Sequence, residues 1–165
     1  SNGIGRATVR LFAEGGARVT ITGRNDNSLK TTRDQLLSAG TSSEFILEIL
    51  GDLTEESFPE KIVKETVDKF GRIDVLVNNA GTANFDPTKP NISQPVDLYD
   101  YTMNLNVRSI VLLAQHAIPH LEKTHGAIVN VSSVAAYPFT TAVSSRLLSA
   151  LNIIEYDCGE REKEA

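Results

Sequence analysis

The residues best suited to chemistry stand where apolar, β-branched runs give way to polar or small ones. Ile73 to Gly81 is the clearest case: an apolar run ends abruptly in Asn78, Asn79, Ala80 and Gly81. A buried strand of this kind delivers hydrogen-bonding groups to its C-terminal edge, where open α/β sheets bind ligands. The amides can tie neighbouring loops together, and Ala80 and Gly81 leave room for something flat to approach the backbone. On this stretch alone, a strand running into a turn explains the residues equally well. A second strand-like run, Gly126 to Val131, delivers Ser132 and Ser133 at its tip.

Two further places suit a phosphorylated ligand. Ser1, Asn2, Gly3, Ile4 and Gly5 open an apolar-periodic segment. Glycines at a helix N-terminus let the backbone approach a pyrophosphate, and the helix dipole with its free N–H groups favours the charge. Arg24 follows the run Ala17 to Thr22 and Gly23, at the place where an acidic residue would select NAD and an arginine suits the extra phosphate of NADP. Asp26 lies close by, so the arginine reading is not exclusive. Asp52, with Leu53, follows the run Phe45 to Leu50 and can accept a hydrogen bond from an adenine amino group. A turn or helix-capping role accounts for Asp52 equally well, as a structural turn does for Gly3 and Gly5.

The elements needed to position these residues alternate along the chain. Ile4, Ala7, Leu11 and Phe12 recur at helical spacing before Gly15 and Gly16. Asn25 or Asn27 can cap the next helix, anchored by Leu29, Leu36 and Leu37 and stopped at Gly40. Thr54 and two following glutamates start a third, with Phe58, Ile62, Val63, Val67 and Phe70 on one face and Gly71 at its end. After a proline-rich loop, a long helix runs from about Val96 to Leu121, with Pro119 able to end or kink it earlier. Alternation of this kind implies an α/β fold, a doubly wound parallel sheet with helices on both faces.

Composition narrows the class. The chain has 165 residues, 41% hydrophobic and 22% charged, which suits one soluble globular domain. A net charge of -5 without a basic stripe leaves no footprint for nucleic acid or an anionic membrane. No apolar run is long enough to cross a bilayer, and Arg6, Arg10 and Glu14 interrupt any signal-peptide pattern. A single cysteine, Cys158, fits a reducing compartment, cytoplasmic by default. His116 and His120 share a helix face but have no acidic or cysteine partner at matching spacing, so no metal site is expected.

Taken together, Asn2 to Gly5, Asp52 with Leu53, Asn78 to Gly81, Asn106, and Ser133 after Asn130 and Val131 resemble the short-chain dehydrogenase/reductase family in order and spacing. The resemblance covers roughly Ser1 to Ala136, and Asn78 to Gly81 is its most specific part. A nucleotide-dependent methyltransferase could share the glycine turn but hardly the whole set. The family transfers hydride between a nicotinamide and a carbonyl or alcohol carbon. The resemblance therefore implies a Rossmann-type domain, an NADP(H) cofactor in preference to NAD(H), and a small carbonyl or alcohol substrate. The cofactor contacts would be Ser1, Asn2, Gly3, Ile4, Gly5, Arg24, Asp52, Leu53, Asn79, Ala80 and Gly81. Ser133 would hydrogen-bond the substrate oxygen, Asn106 would hold a water in the proton relay, and the long helix would serve a homo-oligomer. The chain opens on the glycine turn without a preceding strand, so the sheet would lack its first strand and its C-terminal ones.

One family feature is missing. A tyrosine should stand about a dozen residues beyond the serine, with a lysine one helical turn later to lower its pKa. Arg146 and Ala150 occupy those places, while Tyr137 is too early and Tyr156 too late. Little or no turnover is the expectation, with a non-catalytic nucleotide-binding or dimerising protein as the alternative. Thr140 to Leu148 can be back-translated so that a shifted frame reads Tyr-Tyr-Ser-Ser-Ile-Lys-Ser-Ala-Leu. The nucleotide sequence decides between a frameshift and a divergent helix carrying the stripe Val143, Leu147, Leu151 and Ile154.

Overall fold

The computed structural model describes residues 3–83, 86, 88–89 and 93–133. Among the described residues, four strands and the helices between them divide into two compact units, the first ending at Gly71 and the second starting at Arg72. The described strands form two parallel pairs, one in each unit.

In the first unit the order is α1 (Gly3–Glu14), β1 (Val19–Gly23), α2 (Asp26–Ser38), β2 (Ile46–Leu50) and α3 (Phe58–Phe70). Strand alternation sends Val19 and Ile21 to one face, where they pack with Ala13 of α1 and Leu29 and Leu36 of α2. Thr20 points the other way, and its hydroxyl bonds the Thr66 hydroxyl of α3 at 2.9 Å. This unit therefore has helices on both faces of its strand pair. Helix α2 starts as its capping residue dictates, since the Asn25 side chain accepts the Ser28 N–H at 2.9 Å. Leu29 and Leu36 are buried but Leu37 stands at the surface.

Local details differ from the sequence reading. Helix α3 begins at Phe58, because Asp52 and Thr54 form a turn of their own and Pro59 supplies the fixed φ of a first helical turn. The apolar stripe of α1 is exposed: Ile4, Leu11 and Phe12 face outward while Ala13, with Val9, meets the core. The strand expected from Phe45 starts one residue later, behind a 3₁₀ turn over Ser43–Phe45.

The second unit contains β3 (Val75–Asn78), α4 (Val96–Met103), a π-helical turn (Asn104–Arg108), α5 (Ser109–Thr124) and β4 (Ala127–Asn130). The three helical segments are continuous, so one helix runs from Val96 to Thr124, and Pro119 lies inside α5 without ending it. Ile110, Leu113, Ala117 and Leu121 form the buried face of α5. The Thr124 hydroxyl donates to the Ile73 carbonyl at 2.7 Å, fastening the end of α5 to the chain entering β3.

Helix α5 ends on His125 in the left-handed conformation, and Gly126 then passes close to the backbone entering β3. A Cβ at Gly126 would stand 2.5 Å from the Asp74 carbonyl oxygen and 2.7 Å from Leu121 Cδ2. The carbonyl belongs to the β3–β4 ladder, where it accepts the Ala127 N–H at 2.9 Å, and cannot retreat. Gly126→Ala is therefore expected to destabilise the protein by about 1–3 kcal/mol in urea unfolding; an unchanged midpoint would contradict this packing.

Candidate functional site

Each parallel pair brings sequence-expected residues to one end. In the first unit Gly23 is in register with Leu50, so Arg24 and Asp52 leave the carboxyl ends of neighbouring strands. Arg24 Nη1 lies 3.6 Å from Asp52 Oδ2. The opposite carboxylate oxygen, Oδ1, accepts both the backbone N–H and the hydroxyl of Thr54 at 2.9 Å. Partial burial pushes the Asp52 carboxyl up, but the two Thr54 donors and Arg24 outweigh it and hold the group below its ordinary value. Leu53, next along, is buried and serves the core. The Phe58 ring packs over Gly51, where any Cβ would overlap it.

Helix α1 opens in the same unit. Gly3 takes a positive φ of 54°, and apart from its chain neighbours and its own helix backbone no described atom lies within 4 Å of where its Cβ would stand. The first turn carries no acidic residue. Ile4 is exposed and Gly5 half-buried. Ser1 and Asn2 lie outside the described residues.

In the second unit Asn78 is in register with Asn130, and the Val131 N–H donates to the Asn78 carbonyl at 2.9 Å. Asn79, Ala80 and Gly81 therefore emerge beside Val131, Ser132 and Ser133, and Ser133 is exposed at this tip. Asn79 is half-buried, while Asn78 is only 5% exposed. Its Nδ2 donates across the pair to Asn130 Oδ1 at 2.8 Å, and its own Oδ1 is buried without a donor among the described residues.

The π-helical turn brings Asn106 against the same tip. Ser109 N–H reaches back five residues to the Asn104 carbonyl, a local insertion of the kind that re-aims side chains at functional sites. Asn106 Nδ2 donates to the Thr82 carbonyl at 2.8 Å, and Asn106 Oδ1 accepts the Thr82 N–H at 2.9 Å. The amide thus does what a neighbouring strand would do, clamping the backbone directly after Gly81. The sequence reading named Asn106 but not this clamp, which no spacing rule reveals.

The residues present fit a nicotinamide dinucleotide. An open, positive-φ glycine at a helix N-terminus without first-turn acids suits a pyrophosphate. A carboxylate and a guanidinium past adjoining strands offer an acceptor and a cation to the adenosine end of such a nucleotide. Among the described residues no group of three or more His, Cys, Asp or Glu could hold a metal ion, and no helix is long and apolar enough to cross a membrane. The Arg146 and Ala150 positions, Tyr137, Tyr156 and Cys158 lie outside the described residues, as does the 143–154 stripe.

The clamp has a measurable consequence. Asn106→Ala removes both partners of the Thr82 backbone and is expected to cost about 1–3 kcal/mol in urea unfolding. A loss no larger than that of a neutral surface change would contradict the clamp.

Comparison with known proteins agrees with this geometry. A family model described as short chain dehydrogenase matches residues 1–144. A Thermotoga maritima protein described as an uncharacterized oxidoreductase is 38% identical over 135 residues, 81% of this chain and 51% of its own length. Among solved structures, a Caenorhabditis elegans short-chain dehydrogenase/reductase of unknown function, crystallised with cofactor, superimposes with a TM-score of 0.85 at 39% identity, covering 90% of this chain and 56% of that one. The apo-form glucose dehydrogenase of Caenorhabditis elegans gives a TM-score of 0.77 at 41% identity, covering 92% of this chain and 58% of that one. The chain spans about half the length of the curated relatives it matches. Its α/β arrangement of parallel strands is that of the Rossmann type, and the chain belongs to the short-chain dehydrogenase family.

Proposed function

We propose that this chain is part of a nicotinamide-nucleotide-dependent oxidoreductase acting on a carbonyl or alcohol, with NADP(H) preferred over NAD(H). The observation that carries the reading is the gathering of the expected residues past the carboxyl ends of in-register strands, Arg24 with Asp52 and Asn79 to Gly81 with Ser133. When bound, the nicotinamide supplies the hydride acceptor or donor. Gly3 to Gly5 would approach the pyrophosphate, joined by Ser1 and Asn2. Arg24 would take the 2′-phosphate and Asp52 the adenine amino group, with Leu53 supporting that loop. Asn79, Ala80 and Gly81 would line the nicotinamide end. The Ser133 hydroxyl would hydrogen-bond the substrate oxygen, and Asn106 would hold Thr82 in place beside a relay water.

A serine polarises a carbonyl but cannot supply its proton efficiently, and general acid catalysis is worth about 100-fold to 10,000-fold. With Arg146 and Ala150 where the family has tyrosine and lysine, turnover by the chain as it stands is expected to be weak. The long helix exposes Val96, Tyr99 and Val111, apolar groups suited to a second copy of the chain. Isothermal titration should show NADPH binding more tightly than NADH, while incubation with NADPH and a panel of ketones and quinones shows little cofactor oxidation. Failure to bind either nucleotide would overturn the family's chemistry for this chain, and brisk oxidation would overturn the impairment.

A further inference from the structure

Asp52 does more at the end of β2 than offer an acceptor to adenine. We infer that Asp52 is a positioning residue for Arg24, and that Thr54, by locking the Asp52 carboxylate, helps set the preference for a 2′-phosphorylated nucleotide. The inference rests on the NADP(H) reading above and extends it to two residues that would not touch the phosphate.

The geometry divides the carboxylate between two tasks. Oδ1 takes the Thr54 N–H and hydroxyl, both at 2.9 Å, which fixes the carboxylate plane against its own loop. Oδ2 is left facing Arg24 Nη1 at 3.6 Å. The Arg24 side chain is 58% exposed, so this ion pair adds little to stability. Its effect falls on orientation. A long, solvated arginine loses rotamer freedom when it grips an anion, whereas one already held beside its binding position loses less. Guanidinium carries five N–H donors in a planar fork, more than a single contact with Oδ2 engages. A phosphate on Arg24 would still feel the Asp52 carboxylate, and the guanidinium charge shared by the two offsets that repulsion.

The test is the ratio of NADPH to NADH dissociation constants, read by titration on the full chain and on Arg24→Ala, Thr54→Val, Thr54→Ser and the Arg24→Ala/Thr54→Val double variant. Thr54→Val is expected to weaken NADPH binding about 3- to 10-fold with NADH nearly unchanged, Thr54→Ser to restore it, and the double variant to match Arg24→Ala alone. Retained NADH affinity reports that each variant is folded. If Thr54→Val does not fold, Asp52→Asn gives the same reading through the ratio, because its loss at adenine is common to both nucleotides. An unchanged ratio in Thr54→Val, or losses that simply add in the double variant, would overturn the positioning role while leaving Arg24 its own. An unchanged ratio in Arg24→Ala, or no binding of either nucleotide, would overturn the NADP(H) reading and this inference with it.

Discussion

Parallel strand pairing is the constraint on which the rest depends. Within such a pair the ladder consumes the backbone donors and acceptors, and covering helices leave the faces little use for polar groups. Polar chemistry is left to the strand ends. Because Gly23 is in register with Leu50, and Asn78 with Asn130, the loops that follow leave each pair at the same level. A slip of one residue in either pair would turn every side chain of one strand to the opposite face and separate Arg24 from Asp52, or Asn79 from Ser133.

Around these ends the chain uses side chains to do the work of backbone. Thr54 fixes the Asp52 carboxylate with two donors, and Asn106 closes two bonds on Thr82 from within a helix. The second depends on the π-helical turn at Asn104–Arg108, which interrupts the regular ladder where a side chain is needed at the strand tip. The buried hydroxyls of Thr102 and Ser109 on either side donate to the Leu98 and Leu105 carbonyls, so the helix crosses its irregular turn without orphaned hydroxyls. The candidate site positions are thus held by polar contacts, while the buried apolar groups hold the elements that bear them.

Most of the architecture was legible in the sequence because β-branched runs bounded by glycine and asparagine have few alternatives. The four described strands, Val19–Gly23, Ile46–Leu50, Val75–Asn78 and Ala127–Asn130, stand in the runs Ala17 to Thr22, Phe45 to Leu50, Ile73 to Gly81 and Gly126 to Val131 that the sequence offered. Local rules failed where a tertiary contact decided. Thr54 looks like a helix start, but Asp52 captures its N–H and the helix waits for Pro59. Pro119 looks like a stop, yet α5 continues because its buried face, from Ile110 through Ala117 to Leu121, spans the proline. The stripe Ile4, Leu11 and Phe12 has helical period and forms a helix, but periodicity alone does not say what it meets. Of the candidate site, residue types were readable and pairings were not: nothing in the spacing joins Asn106 to Thr82, 24 residues away.

The central claim is that the carboxyl ends of the paired strands serve a nicotinamide nucleotide. Two-dimensional amide NMR during titration with NADP⁺ tests it most directly. The account expects perturbations concentrated at Gly3 to Gly5, Arg24, Asp52 to Thr54, Asn79 to Thr82 and Ser133. Perturbations instead at the opposite strand ends, around Arg18, Phe45 and Asp74, or a spectrum unmoved by saturating nucleotide, would contradict it.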